Sequence, residues 1–551
     1  MKKKKYIYFI AVSVFIIMLN IFLMFNQKEV LENIDVAIEK NEMAFIVDGE
    51  VQTTVPAKGS GDYDITANCT NGTASWDYDN WGIVINTIDE GNIKCNVEFK
   101  TIYLRTASNV VETGVFLNGP LVKNTIESIE FMTSNNVPNE ALGSWDVSAN
   151  QDKSIMAWYY DRDSNGLYEV HIGGNGGVSA NSDSRYLFQN LYSLKTLNLS
   201  NLNTSNVTDM SNMFSRTGYN STVFTLNLGD KFDTSNVTDM STMFLYTGYS
   251  STVFTLDLGD KFDTSKVTNM SSMFKYTGYK NTAFTLELGA TFDTSNVTNM
   301  ADMFSSTGYS STVFILDLGD NFDTSNVTTM SYMFSATGYR STVFTLNLGE
   351  KFNTSNVTIM GTMFASTGYS STFFTLNLGD KFDTSKVIDM AYMFHQIGFS
   401  STVFTLDLGN KFNTSKVINM ERMFYYTGRS STVFTLDLGD KFDTSNVTNM
   451  RYMFYWTGYS STVFTLNLGD KFNTANVTNM SYMFQNTGYL NPNFILDLKT
   501  FNFDNVTTYD NIFYGSKSTH TAYVKNASDK SWVSGKGFTG SIIDCSSNTC
   551  P

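Results

Sequence analysis

Cysteine, proline, histidine and charge are all scarce in this chain. Four cysteines, five prolines and three histidines are spread over 551 residues, and 16% of positions are charged. With so little proline and 42% hydrophobic residues, the chain is neither a proline-rich linker nor disordered. Lysine and arginine form no cluster beyond residue 5, and the formal charge is −15, so the surface repels phosphate backbones and nucleic acid is excluded as a partner. His171, His395 and His520 are scattered, and no H-E-x-x-H, G-x-S-x-G or phosphate-binding glycine loop occurs. No enzyme and no cofactor are expected. The Asp161, Asp163, Asn165, Gly166 run resembles the front of a calcium loop, but Ile172 stands where a bidentate Glu is needed, so a hairpin turn is the expectation. No metal is expected. The cysteines form two local pairs, Cys69–Cys95 and Cys545–Cys550, and so little histidine makes a poor zinc set. Disulfides are expected, since an exported chain oxidises.

Export is indicated at the start. Lysines at 2–5 precede YIYFIAVSVFIIMLNIFLMF, residues 6–25, long enough as a helix to cross a bilayer core. Positive charge on the amino side keeps that end inside and sends the bulk outside. Residues 1–28 thus read as a membrane anchor or signal-anchor. A cleaved signal peptide, giving a secreted protein, is the alternative, although NIFLMFNQKE lacks the small residues that cleavage needs. Residues 29–42 read as a stalk. Residues 43–103 alternate apolar and polar in short runs and predict a small β-rich domain stapled by Cys69–Cys95. Residues 104–185 read as a β-rich cap, with a hairpin in SIMAWYYDRDSNGLYEVHIGG.

From 186 to 515 one phrase recurs. TSNVTNMRYMF begins at Thr444 and TANVTNMSYMF at Thr474, with looser versions every 30 residues back to Thr204. In STVFTLDLGDKFDTSKVTNMSSMFKYTGYK, residues 251–280, Val253, Leu256 and Leu258 match L-x-x-L-x-L and predict a strand. Thr264 or Ser265 reads as a helix cap. Val267, Met270, Met273 and Phe274 then read as a helical stripe that Gly278 ends. No such unit buries both faces alone, but stacked units do. The expected fold is an α/β solenoid of about eleven units. It is expected to be curved and right-handed, with a parallel sheet on the concave side and short helices on the convex side, because helices space more widely than strands. Residues 516–551 read as a carboxyl-terminal cap and tail.

The phrase L-x-L…F-D-T-S-N-V-T-x-M-x-x-M-F, with the lead-in from SWDVSANQDKS to SDSRYLF, resembles the BspA-type leucine-rich-repeat surface proteins of bacteria over roughly residues 144–530. That resemblance implies a surface-exposed solenoid engaged in adhesion to host proteins or other cells. The repeats here are longer by four residues around TGYSST, an insertion that stacks along one edge.

Two outward ladders are candidates for binding on the strand face. One is Thr225, Thr255, Thr285, Ile315, Thr345, Thr375, Thr405, Thr435, Thr465 and Ile495. The other is Asn227, Asp257, Glu287, Asp317, Asn347, Asn377, Asp407, Asp437, Asn467 and Asp497. Either they form an acidic binding surface or they only satisfy each other. An aromatic stripe on the insert edge holds Tyr219, Tyr249, Tyr279, Tyr309, Tyr339, Tyr369, Phe399, Tyr459 and Tyr489, interrupted by Arg429. Packing along the edge and recognition of glycan or protein are its two readings. N-x-T recurs, as at Asn236 and Asn296, and reads as part of the helix cap. The expected function is non-covalent adhesion to, or recognition of, protein or glycan on host or neighbouring cells. A self-associating surface layer or spacer without foreign ligand is the alternative.

Overall fold

The computed structural model describes residues 8–9, 21–22, 42–47, 50–52, 55, 63–77, 82–88, 94–106, 114–546 and 550. The expected anchor and stalk lie outside the described residues, apart from Tyr8–Phe9 and Ile21–Phe22, which pair antiparallel, and Glu42. No helix among the described residues is long and apolar enough to cross a membrane.

Alternating sequence makes a small β unit first. Glu42–Val47 runs parallel to Lys94–Thr101, and Tyr63–Thr70 pairs with Lys94–Thr101 from the other side, antiparallel. Gly72–Asp77 and Gly82–Ile88 form a second antiparallel pair. Their inward residues, including Ile65, Ile83, Val97 and Phe99, make a core separate from that of the repeats. Cys69 stands directly opposite Cys95 and is bonded to it.

The hairpin follows. Ile155–Tyr160 pairs antiparallel with Tyr168–Gly174, which lies parallel to Ile126–Met132. Ile126–Met132 pairs in turn with Thr196–Asn198, and that strand with Thr225–Asn227. One sheet therefore joins the cap to the first coils. At the other end Ile495–Leu498, Thr521–Val524 and Ser541–Asp544 run parallel, and the helix Ala527–Gly535 lays Trp532 on Phe503 at 4.1 Å. Cys545 is bonded to Cys550.

Between these ends the chain is a repeat solenoid of parallel strands. Val253–Asp257 pairs with Ala283–Glu287, and six strands from Val313–Asp317 to Val463–Asn467 form one parallel sheet. Phe254 and Leu256 point inward, and the strands from Ala283–Glu287 to Val463–Asn467 repeat this exposed–buried alternation. The buried rings stack coil on coil: Phe274 lies 5.6 Å from Phe244 and 5.4 Å from Phe304. Each fully buried phenylalanine contributes roughly 1.5–3 kcal/mol, and only a neighbouring coil supplies that burial.

The helices expected on the other side are absent. Val267, Met270, Met273 and Phe274 are buried, as their spacing requires, but the backbone that carries such residues is a chain of tight turns. In residues 240–247 alternate N–H groups bond three residues back, Met243 to Met240 at 3.2 Å and Leu245 to Thr242 at 3.1 Å. The intervening ones bond to the next coil, Thr242 to Ser271 at 2.9 Å and Phe244 to Met273 at 2.9 Å. An α-helix keeps these bonds inside its own segment. Thr242 and Tyr246 have φ of 56° and 59°, and this left-handed pair recurs in the coils that follow. Tight turns also bring residues at i, i+3 and i+4 to one side, so the apolar spacing cannot tell the two apart. Thr264 caps no helix either: its hydroxyl donates to the Asp293 carbonyl in the next coil at 2.7 Å. With both sides hydrogen-bonded from coil to coil, the wider helical side loses its basis, and so does the curvature inferred from it.

Candidate functional site

The sheet's outer surface follows from strand parity. In Val253–Asp257 the outward side chains are Val253, Thr255 and Asp257. The pairing sets Thr255 beside Thr285, Ile315 beside Thr345, Thr375 beside Thr405 and Thr435 beside Thr465. It sets Asp257 beside Glu287, Asp317 beside Asn347, Asn377 beside Asp407 and Asp437 beside Asn467. Both ladders read from the sequence thus form real columns.

Much of the acidic column also has a structural task. Oδ1 of Asp257, Asp317, Asp407 and Asp437 accepts from the backbone N–H of Gly259, Gly319, Gly409 and Gly439 at 2.9–3.1 Å, ending each strand in a turn. Asn347 donates to Asp317 at 3.0 Å and Asn467 to Asp437 at 2.9 Å, so the interspersed amides offset repulsion between carboxylates. Where the column holds Asn, at 227, 347, 377 and 467, an exposed acid follows three residues later: Asp230, Glu350, Asp380 and Asp470. Where that later position is Ala290 or Asn410, Glu287 or Asp407 supplies the charge. Packing does not demand this exchange, and it leaves every coil from 227 to 470 with a carboxylate on this strip.

Val253, the first member of the L-x-x-L-x-L match, points outward, and Phe254 points in. Val223, Val253, Val313, Val343, Phe373, Val403, Val433 and Val463 make an apolar column between 50% and 68% exposed. Strand parity counted back from Leu256 gives Phe254, so the signal was present but hidden by two adjacent apolar residues. The acidic column, by contrast, runs on into the cap: Asn227 pairs with Asn198, Asn198 with Glu130, and Glu130 with His171.

The insert edge is a stack. Rings from Tyr219 to Phe399 follow one another at 4.3–4.9 Å, nearly parallel. The Arg429 guanidinium lies 5.0 Å from Phe399 and 5.3 Å from Tyr459, and Tyr459 lies 5.0 Å from Tyr489. These rings lie face to face with one another and are half-buried. Burial raises the phenol pKa of Tyr249, Tyr279 and Tyr339, the last to about 12.

Other motifs resolve locally. Asp161 accepts from the N–H groups of Asn165 and Gly166 at 3.0 and 3.2 Å, the geometry of a hairpin turn. Among the described residues no group of three or more His, Cys, Asp or Glu is arranged to hold a metal ion. In N-x-T the asparagine ties coils together rather than capping a helix: Asn296 donates to the Ser265 carbonyl at 2.6 Å and Asn326 to that of Ser295 at 2.7 Å. The histidines stay apart: His171 stacks on Trp158, His395 on Tyr425, and His520 bonds the Asn491 carbonyl.

Five overlapping stretches, 182–309, 249–373, 277–405, 339–456 and 399–526, match the family described as Mycoplasma protein of unknown function, DUF285. The chain belongs to the DUF285 family. No curated protein and no solved structure matches it. The DUF285 stretches begin in the cap at 182 and end at 526, beside the closing helix Ala527–Gly535. Both the strand face and the aromatic edge thus lie within DUF285 sequence.

Proposed function

We propose that this protein is a membrane-anchored cell-surface adhesin of the BspA-type leucine-rich-repeat kind, which holds macromolecules of host or neighbouring cells without covalent chemistry. The observation that carries the reading is the outer strand face: apolar, threonine and acidic columns run side by side from coil to coil. A contiguous exposed apolar column is unusual on a protein with no partner. Affinity is built from many weak, evenly spaced contacts. The acidic strip favours a basic partner surface. Lysines at 2–5 and the apolar run at 6–25 support the anchor, with the bulk of the chain outside.

The test is capture of matrix, serum and cell-surface proteins by the full chain and by a V343R/V403R/V433R variant. Loss of the captured partner in the variant is the expected result. Equal capture by both rejects the strand face as the site. The near-identity of the coils favours a second reading, a spacer or surface layer that binds only itself. Sedimentation of the full chain separates the two, because the spacer reading requires concentration-dependent assembly and no foreign partner.

A further inference from the structure

One stretch of the turn side departs from the repeat. Where earlier coils carry Ser335, Ala336, Ala365 and Ser366, two later ones carry Tyr425, Tyr426, Tyr455 and Trp456. The small residues build the same turns with the same inter-coil bonds, so the fold does not require the large ones. Three of the five arginines of residues 186–515, Arg422, Arg429 and Arg451, occur here with the only tryptophan of those residues.

The arginines are held but not neutralised. Arg422 lies between the rings of Tyr392 and Tyr452, at 5.2 and 4.9 Å. Arg451 lies 4.8 Å from the Tyr452 ring, and Arg429 lies 5.2 Å from Trp456. Among the described residues Glu421 is the only carboxylate within 4.0 Å of Arg422 or Arg451, at 3.7 and 4.0 Å. Arg429 has none within that distance, and its buried Nε has no hydrogen-bond partner. The Arg422 and Arg451 side chains remain 30% and 41% exposed, and an Arg422 N–H donates to the Tyr392 hydroxyl, which fixes the guanidinium between its rings. Two of these cations share one carboxylate and the third has none within 4.0 Å, on a chain whose acids outnumber its bases by 52 to 37.

We propose that this island binds an acidic saccharide, one whose carboxylate or sulfate sits on an otherwise neutral glycan. A guanidinium pre-oriented by flanking rings matches an oxyanion bidentately. Tyr425, Tyr426, Tyr455 and Trp456 are only half-buried, so part of each ring stays accessible to a saccharide. The chain's charge of −15 repels a polyanion, so the anion is an isolated one. This site lies on the turn side and is independent of the strand face.

Calorimetric titration of the full chain with a galactan oligomer carrying one uronate, one carrying a single sulfate and the neutral galactan oligomer of equal length tests it. At least one acidic oligomer should bind tenfold or more tightly than the neutral one, and which of the two does so identifies the oxyanion. R422Y, R429Y and R451S restore residue types that other coils hold at these positions, so the triple variant should melt like the parent and lose that preference. R429Y alone, which completes the aromatic edge, should lose part of it. A parent with no preference, a folded triple variant that keeps it, or stronger binding of an acidic peptide or of phosphatidylserine vesicles overturns the proposal. The strand-face variants should leave this titration unchanged, so the two sites fail separately.

Discussion

The strand side and the turn side of each coil bury the same kinds of residue and join the same neighbours, yet they are built by opposite means. On the strand side the backbone is extended and every second side chain is outward, as in Val253–Asp257. On the turn side half the N–H groups bond within the coil and half bond to the next, and two non-glycine residues per coil are held at positive φ. Each such residue costs on the order of 1 kcal/mol. Ladders of buried residues offset that cost: Phe304 between Phe274 and Phe334, and Thr307, whose hydroxyl donates to the Phe274 carbonyl at 2.7 Å. Turn-side geometry is thus imposed by neighbours, whereas strand geometry agrees with local preference.

The largest expected effect breaks the comparison at the core. Phe304→Ala removes a fully buried ring on the turn side and should cost about 3–5 kcal/mol. Val313→Ala, on the outer strand surface and 52% exposed, should cost less than about 0.5 kcal/mol. Urea unfolding of both variants measures the difference. Equal losses would mean that the two sides do not divide the work of stability as described.

A second effect belongs to the turn side alone. Burial, aided by the Arg422 charge, pushes the His395 imidazole down to about 4 from its ordinary 6.5. Between those two values the unfolded chain takes up a proton that the folded chain refuses. Stability from this group is therefore complete above pH 6.5 and falls as pH drops towards 4, by at most about 3 kcal/mol. His395→Gln should flatten that part of the dependence in denaturation measured at pH 7.5 and 4.5. Parent and variant losing the same stability between the two would show that the imidazole titrates normally in the fold.

The contrast also explains what the sequence made legible. Period, strand positions, the threonine and acidic ladders, the stacked edge and both cysteine pairs were readable, because each rests on a pattern with one physical solution. A period of 30 has to stack, and Thr255 and Asp257 share strand parity. The helix was misread because Val267, Met270, Met273 and Phe274 satisfy a helix and a stack of turns equally well. Only the inter-coil hydrogen bonds separate these, and no single coil's sequence contains them. The outward apolar column is hard to see for a related reason: at Val253 and Phe254, hydrophobicity alone does not say which of two apolar neighbours is inside. The arginine island was legible as composition, three arginines within residues 422–451, but its lack of carboxylate partners is a property of the assembled surface.

The smallest expected effect is the most diagnostic, because its sign is at stake. Ala336 sits in the segment read as helix, and its φ is 55°. In a helix, replacing alanine by glycine costs about 1 kcal/mol through backbone entropy. At a left-handed position the alanine already bears a steric penalty from its Cβ, which glycine lacks. Ala336→Gly should therefore be neutral or stabilising, by up to about 1 kcal/mol, whereas Thr345→Gly, in the extended strand Val343–Asn347, should destabilise by a similar amount. Chemical denaturation of the two single variants and of the pair decides it. Opposite signs identify the turn stack, and a loss of about 1 kcal/mol in both restores the helix. The two sites are exposed or half-buried and nine residues apart in sequence, so neither change opens a cavity that would mask the backbone term.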